Sequence, residues 1–457
     1  MIKKIAALSL ILFLSFSGAA PAFDWSEKGG GKSGDKVLAG ATLDVGKQGH
    51  SLGFVDADGD GIKDMIVGAP YAFTATNIGG VLLHKGLADD EFSSLPSMLL
   101  TGDNNFGSSF VNLGDLDEDG MDDFAIGAMH GDGPDVSLSG SVTVFKGGSP
   151  WNYGEGLGKI IAKLSGEWPL DKFGLFMTAG DLNGDGLKDL VVGAPFNTND
   201  PSVYQGGAVY VFSGPDFINR ITLYASAANK GLGWSAATGD INGDHVADLC
   251  LSASGKVLCY YSGRGFNPLI DEPDVTIKSG SAGFGKAMAV IGDLDGDGYG
   301  EIVIGAPNAA INEKRDTGSI FLIKGGTGTG IRIINADDAT SPDRIARIDG
   351  EALFNRFGIS ITAVDDIDGD QMADFVVGAS MADVGPFYLT GKIYLFKGMD
   401  ISASTTLADA TIFEGSAKDQ GFGTALAAGE NGRLLIGAPR TSADTGGVFL
   451  VDLTSAP

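Results

Sequence analysis

The chain has 457 residues, 58 of them acidic and 31 basic, for a net charge of −27 at pH 7, and it carries 72 glycines and only two cysteines. That charge repels nucleic acid and anionic membrane surfaces and makes divalent cations the natural counter-charge. Its length would allow several domains, but one repeat family covers nearly all of it.

Residues 1–22 hold Lys3 and Lys4, an apolar run from Ile5 to Phe16 and small residues ending in Ala20-Pro21-Ala22. This is the layout of a secretory signal peptide cut near Ala22. Residues 23–36 read as a short linker, and the repeat array fills 37–457. No later apolar run of ~18 residues is available to span a bilayer. The mature chain is expected to be exported, whether to the medium, the periplasm or the cell surface.

The array is marked by acidic runs of the form Asp-x-Asp/Asn-x-Asp-x-x-x-Asp/Glu, which begin at Asp56, Asp115, Asp181, Asp240, Asp293 and Asp366. A period of this size outranks other signals. Seven or eight residues upstream of each run sits a glycine, paired with an aromatic in Phe106-Gly107, Phe173-Gly174, Phe284-Gly285 and Phe357-Gly358. Just downstream come Gly68-Ala69-Pro70, Gly127-Ala128-Met129, Gly193-Ala194-Pro195, Ser252-Ala253-Ser254, Gly305-Ala306-Pro307 and Gly378-Ala379-Ser380. A seventh copy keeps Phe422-Gly423 and Gly437-Ala438-Pro439 but has Gly429-Glu430-Asn431-Gly432 where the acids belong.

Each unit reads as four short strands with turn signals between them, an all-β repeat. The seventh unit ends at its third strand, Gly447 to Val451, whereas Val37 to Ala41 is an orphan strand ahead of the first unit. Pairing the two closes a ring and removes exposed sheet edges. The expected fold is a seven-bladed β-propeller whose last blade is completed by the N-terminal strand.

In the fourth unit, a two-residue turn at Ser254-Gly255 would set Cys250 directly opposite Cys259 as a non-hydrogen-bonded pair, with Cα atoms ~4.5 Å apart. That lies at the short end of the disulfide range. A cross-strand disulfide and two small buried thiols are both compatible with the sequence.

Phe-Gly and Gly-Ala-Pro flanking an Asp-rich loop over about 420 residues resembles the FG-GAP repeat propeller of integrin alpha subunits and related secreted bacterial proteins. The resemblance implies seven blades with calcium in hairpin loops on one rim. In integrin alpha subunits the opposite rim meets a beta subunit and ligand. The step from Gly107 to Gly174 leaves no room for an inserted ligand-binding domain, so fold and metal loops carry over, and integrin biology does not.

Calcium takes six to eight oxygens, and a tight loop with side-chain oxygens at positions 1, 3, 5 and 9 and a carbonyl at position 7 supplies them. The candidate ligands of loop one are Asp56, Asp58, Asp60, Asp64 and the carbonyl of Ile62. In loop two they are Asp115, Asp117, Asp119, Asp123 and Met121. Loop three offers Asp181, Asn183, Asp185, Asp189 and Leu187, and loop four Asp240, Asn242, Asp244, Asp248 and Val246. Loop five has Asp293, Asp295, Asp297, Glu301 and Tyr299, and loop six Asp366, Asp368, Asp370, Asp374 and Met372. Asn in place of Asp is expected to weaken loops three and four. His245 and Gln371 replace the glycine that a positive φ favours at position six, which makes loops four and six the weakest candidates. Asp, Asn and Gly also make plain turns, but turn formation alone does not account for 22 carboxylates in six identical frames. Magnesium, which keeps several waters, fits less well.

No catalytic constellation is legible. His50, His84, His130 and His245 fall in different repeats without ligand spacing, and no Gly-x-Ser-x-Gly elbow occurs. Gly29-Gly30-Gly31-Lys32-Ser33 lacks the first glycine of a phosphate loop and precedes a strand rather than a helix. The connections on the rim opposite the acidic loops carry Tyr71, Phe73, Trp168, Phe196, Tyr204, Lys314, Arg315, Phe387, Tyr388 and Arg440. Exposed aromatics with cations suit protein or glycan recognition. The expected role is an exported calcium-binding module for an extracellular or envelope partner, in adhesion for example; the alternative is a secreted polysaccharide lyase or hydrolase.

Overall fold

The computed structural model describes residues 36–39 and 48–455, apart from 73–77, 88–90, 94–95, 135, 149–159, 199–202, 227–229, 264–271, 328–330, 399–400 and 441–445. The expected signal peptide, nearly all of the expected linker and Phe73 lie outside the described residues. Among the described residues there is no α-helix.

Seven antiparallel sheets form the blades of a propeller. Blade one runs through Ser51–Val55, Asp64–Ala69, Ile78–His84 and Met98–Asn104, each strand paired with the next. The first strands of the seven blades touch one another in a closed cycle, with Ser51–Val55 of blade one meeting Leu426–Ala428 of blade seven. Lys36–Ala39 pairs antiparallel with the third strand of blade seven, Lys36 opposite Leu450 and Ala39 opposite Gly447. Closure by the N-terminal strand therefore follows the sequence expectation.

Among the described residues the core is divided into seven clusters, each drawn from two neighbouring blades. Between blades two and three, for example, Val142 and Val144 pack with Phe173, Leu190 and Tyr210. The repeated aromatic is part of this packing: Phe173 is fully buried and meets the Tyr210 ring edge-on, with centroids 5.1 Å apart. Burying such a side chain contributes about 1.5–3 kcal/mol.

The two repeated glycine motifs meet at the blade interfaces. Gly358 donates its N–H to Gly378 O within blade six at 3.0 Å, and the Ser360 hydroxyl of the same blade donates to Gly423 O of blade seven at 2.7 Å. A Cβ on Gly378 would lie 2.3 Å from Gly423 O, so this close approach of backbones requires glycine.

Two features departed from four strands per unit. Blade four has a fifth strand, Arg332–Asn335, which runs parallel to Val275–Lys278. It comes from the connection between the third and fourth strands of blade five and so ties the two blades together. In blade one, Gly86–Leu87 and Glu91–Phe92 make an extra small hairpin. Cys250 and Cys259 pair across adjacent strands and form a disulfide, with Cα atoms 4.0 Å apart.

Candidate functional site

Strand alternation decides where the acidic loops sit. Each connects the first strand of a blade to the second, so all six emerge at one end of the propeller, together with the connections between third and fourth strands. The second-to-third and blade-to-blade connections emerge at the opposite end. Neighbouring loops are also stapled together: the N–H groups of Asp122, Ala247 and Ala373 donate to the carbonyls of Asp56, Asp181 and Asp293 in the preceding blade.

Within a loop, hydrogen bonds between close neighbours fix the turn. The Asp56 carboxylate accepts the N–H groups of Gly59 and Gly61, and Asp60 accepts that of Ile62. Asp115, Asp181, Asp240, Asp293 and Asp366 repeat the first role. Asp119, Asp185, Asp244, Asp297 and Asp370 repeat the second, towards the N–H groups of Met121, Leu187, Val246, Tyr299 and Met372. Position six has positive φ in every loop, including His245 at 68° and Gln371 at 71°.

The ninth residue opens the second strand and is buried: Asp64, Asp123, Asp189, Asp248, Glu301 and Asp374 are at most 3 % exposed. Each accepts the N–H of loop position two, as Asp64 does from Ala57 at 3.2 Å. Each also accepts an N–H just beyond the third strand, as Asp64 does from Gly86 at 2.9 Å. Burial pushes Asp64 and Asp248 up to about 7, Asp123 and Asp189 to about 6 and Glu301 to about 8, with repulsion from other loop carboxylates adding to the rise. Such crowding is relieved by a bound cation.

In loops one, two and five, the carboxylates at positions 1, 3 and 5 bring oxygens within 4.8 Å of one another. In loop six the converging set is Asp366, Asp368 and Asp374, and Asp370 stands outside it. Loops three and four, with Asn183 and Asn242 at position three, show no such carboxylate triad among the described residues. The Asn183 amide donates to Asp189 at 3.2 Å, and that of Asn242 donates to Asp244 and Asp248.

The donor set fits a hard cation. All side-chain donors are oxygens, and Asp58, with its side chain 8 % exposed, keeps a buried Oδ1 without a hydrogen-bond partner. A buried unpaired carboxylate oxygen costs free energy that a metal ion would offset.

Four lysines were not anticipated. Lys85 pairs with Asp58 and Asp60, Lys146 with Asp117 and Asp119, Lys324 with Asp295 and Asp297, and Lys397 with Asp368. Hydrogen bonds to Asp58 and Asp60 raise Lys85 well above its ordinary value, and that to Lys85 lowers Asp60. Each lysine directly follows a third strand, in Lys85-Gly86, Lys146-Gly147, Lys324-Gly325 and Lys397-Gly398. The two Asn-bearing loops face Ser213 and Tyr261 at that place instead. Counting only the side chains at positions 1, 3, 5 and 9 and the lysine after the third strand, four carboxylates with one ammonium, or three with none, give every donor set a formal charge of −3. The signal was a Lys-Gly pair present only where position three is Asp.

Seven interlocked blades, with acidic hairpin loops on one end of six of them and a Phe-Gly or lone glycine packed against Gly-Ala-Pro or its variants at the interfaces, define a β-propeller of FG-GAP type. The FG-GAP repeat family matches residues 173–212 and 284–323. Among curated proteins the chain is similar to integrin alpha-5 of Xenopus laevis, 34% identical over 221 residues, covering 46% of this chain and 20% of the relative. Integrin alpha-PS2 of Drosophila melanogaster is 26% identical over 322 residues, 68% of this chain and 17% of the relative. Human integrin alpha-IIb is 36% identical over 173 residues, 35% of this chain and 16% of the relative. The protein is thus a seven-bladed propeller that carries FG-GAP repeats and is similar over part of its length to integrin alpha subunits, and the chain spans about a fifth of the length of the curated relatives it matches.

Proposed function

We propose that the protein is an exported calcium-binding propeller that recognises a protein or glycan partner, as in adhesion, through the end opposite its acidic loops. The observation that carries this reading is the division of labour between the two ends. One gathers the carboxylate loops; the other exposes aromatic side chains, with Trp168 46%, Tyr204 58%, Phe387 45% and Tyr388 64% accessible. Side chains this open are not core plugs, and rigid aromatics at a surface are frequent binding anchors. Phe196 and Arg440 are half-buried and contribute less surface. Kinship with integrin alpha subunits supports the same assignment.

Calcium supplies positive charge that holds the carboxylates together. The residues that would hold it are those at loop positions 1, 3, 5 and 9, with the position-seven carbonyls of Ile62, Met121, Leu187, Val246, Tyr299 and Met372. The chain's own part is to preset the loops: the Asp56-type carboxylate folds the turn, and the buried ninth residue fastens it to the sheet. With ~1 mM calcium and dissociation constants of ~0.1 mM, each site stabilises by ~1.4 kcal/mol, and six by ~8 kcal/mol in all.

Two measurements test this. Calorimetry in calcium and in chelator should give a melting temperature many degrees lower in chelator; an unchanged value removes the calcium assignment. Immobilised protein exposed to surface extracts and polysaccharides with calcium should retain an intact partner, and Tyr204→Ala with Tyr388→Ala should weaken capture. Release of shortened or unsaturated sugars would make the protein a lyase or hydrolase instead.

A further inference from the structure

In a chain with a net charge of −27, the partner-facing end of blade four is cationic. Lys230, Lys256, Lys278 and Lys286 are all exposed there, and Lys230 and Lys286 line one pocket with Trp234. Lys256 and Lys278 are direct cross-strand neighbours. The Lys286 ammonium stands 5.4 Å from the Trp234 ring centroid. Among the described residues none of these four lysines has a carboxylate within ion-pair distance, whereas Lys63, Lys85, Lys146, Lys324 and Lys392 all do. Like charges directly opposite each other destabilise a sheet, and an anion bound from outside would relieve this; the chain's own nearby carboxylates are Asp337, held by Ser279 and Gly280 beside Lys278, and Asp316, which acts on Lys286 without an ion pair. Arg356, on the same end where blade five leads into blade six, keeps a buried Nε without a hydrogen-bond partner.

The patch surrounds a pocket of about 250 Å³ lined by Lys230, Trp234, Ser252, Ser254 and Lys286 over glycine backbone. The pocket exists because blade four turns from its second to its third strand through Ser254 and Gly255 alone, clipped by the Cys250–Cys259 disulfide. Other blades carry longer connections at that end, from Ala194 to Ala208 in blade three and from Ala306 to Ser319 in blade five. Trp234 is 37% exposed, and Phe196 braces its ring edge-on at 5.7 Å.

We propose that this pocket is a subsite for a carboxylated sugar residue of an acidic polysaccharide. It rests on the reading of this end as the recognition face and gives that face a ligand class. The indole offers a flat apolar platform for a pyranose ring, the lysines meet its carboxylate in charge-assisted hydrogen bonds, and Ser252 and Ser254 supply hydroxyl partners. The volume lies just under the usual range for small-molecule sites and suits one sugar ring. Phe284 joins Trp234 in the lining, and an open indole face beside two ammonium groups and two serine hydroxyls matches the mixed apolar and polar faces of an acidic pyranose, which favours a glycan over an acidic peptide.

The test is calorimetric titration of the full-length protein, at fixed calcium, with a hyaluronan octasaccharide, neutral dextran and poly-L-glutamate. The octasaccharide should bind, dextran should not, and added salt should weaken binding. Lys230→Met with Lys286→Met should cost tenfold or more in affinity, about 1.4 kcal/mol, as should Trp234→Ala, with melting temperatures confirming the fold. Exposed Lys256→Met with Lys278→Met provides a second variant pair, expected to weaken binding severalfold without disturbing the core. No octasaccharide binding, equal binding by the variants, or preference for poly-L-glutamate would each overturn the proposal. If the octasaccharide fails while partner capture still depends on Tyr204 and Tyr388, the recognition face stands and only the acidic-sugar subsite falls.

Discussion

Blade seven turns from its first strand to its second through Gly429, Glu430, Asn431 and Gly432, where the other six blades use eight or nine residues rich in carboxylates. Its turn is closed by backbone, with Gly429 donating to Arg433 O at 2.8 Å and Asn431 and Gly432 at positive φ. Everything else is retained: Phe422 is buried, Gly423 donates to Gly437 O at 3.1 Å, and the sheet has four strands. The blade therefore does not need an acidic loop in order to fold. Six loops that place three or four carboxylates on a turn which four residues can make are consistent with divalent-cation binding, and four of them bring three carboxylates together.

The largest expected effect comes from breaking what blade seven has and the others lack, a strand borrowed from the N-terminus. Deleting residues 1–40 removes the partner of Gly447–Asp452 and exposes a sheet edge. Light scattering and circular dichroism should show association or loss of the cooperative transition, whereas a stable monomer would mean that the ring closes without it.

Next is the feature all seven blades share. Gly358→Ala places a Cβ 2.9 Å from Ser319 O at a φ of 86°, whereas Gly298→Ala in loop five adds a Cβ in open space at a φ of 90°. The first should cost ~3 kcal/mol by combining backbone strain with interface displacement, the second only the ~1–2 kcal/mol of the left-handed conformation. Urea unfolding in chelator would separate them, and equal losses would show that the interface yields.

A graft sharpens the comparison directly. Replacing residues 56–63 by the blade-seven turn should leave stability in chelator nearly unchanged while removing one calcium and ~1.4 kcal/mol of calcium-dependent stabilisation. A milder change, Lys85→Met, should lower stability in chelator and tighten calcium at loop one, by about fivefold at most for one partly exposed ion pair. Unaltered calcium affinity would make Lys85 a bystander.

The smallest effect concerns a position that blade seven fills differently. Gln420 accepts the N–H groups of Ser416 and Ala417, and Asp171, between blades two and three, accepts those of Glu167 and Trp168 in the same frame. Burial pushes Asp171 up to about 6. Because the folded state holds this proton more tightly than the unfolded chain, the associated stability is complete below the unfolded value near 4 and is lost as pH rises through about 6. Asp171→Asn should remove that decline, so that the variant gains on the parent between about pH 4 and 6 and keeps a constant margin above it; parallel pH profiles would contradict it.

Much of the fold could be read directly because its signals are short-range. The acidic loops fold through hydrogen bonds between residues two to seven apart, such as Asp60 with Ile62 and Asp64 with Ala57. Their spacing is therefore visible in the chain, as are the alternating strands and the Phe-Gly and Gly-Ala-Pro signals. The orphan strand at Val37 was legible for the same reason: seven counted units left one blade a strand short.

Tertiary structure decided what depends on residues far apart. Lys85 lies 27 residues from Asp58, and only antiparallel pairing of the third strand with the second returns its ammonium to the loop. The carboxylates that converge, the strand Arg332–Asn335 lent to blade four, and the closing of Cys250 on Cys259 were likewise set by packing between strands and blades. So was the cationic pocket beside Trp234, which opens only because one blade's connection is shorter than its neighbours'. A repeat declares its local geometry in every copy, whereas the sites made between copies exist only once the ring has closed.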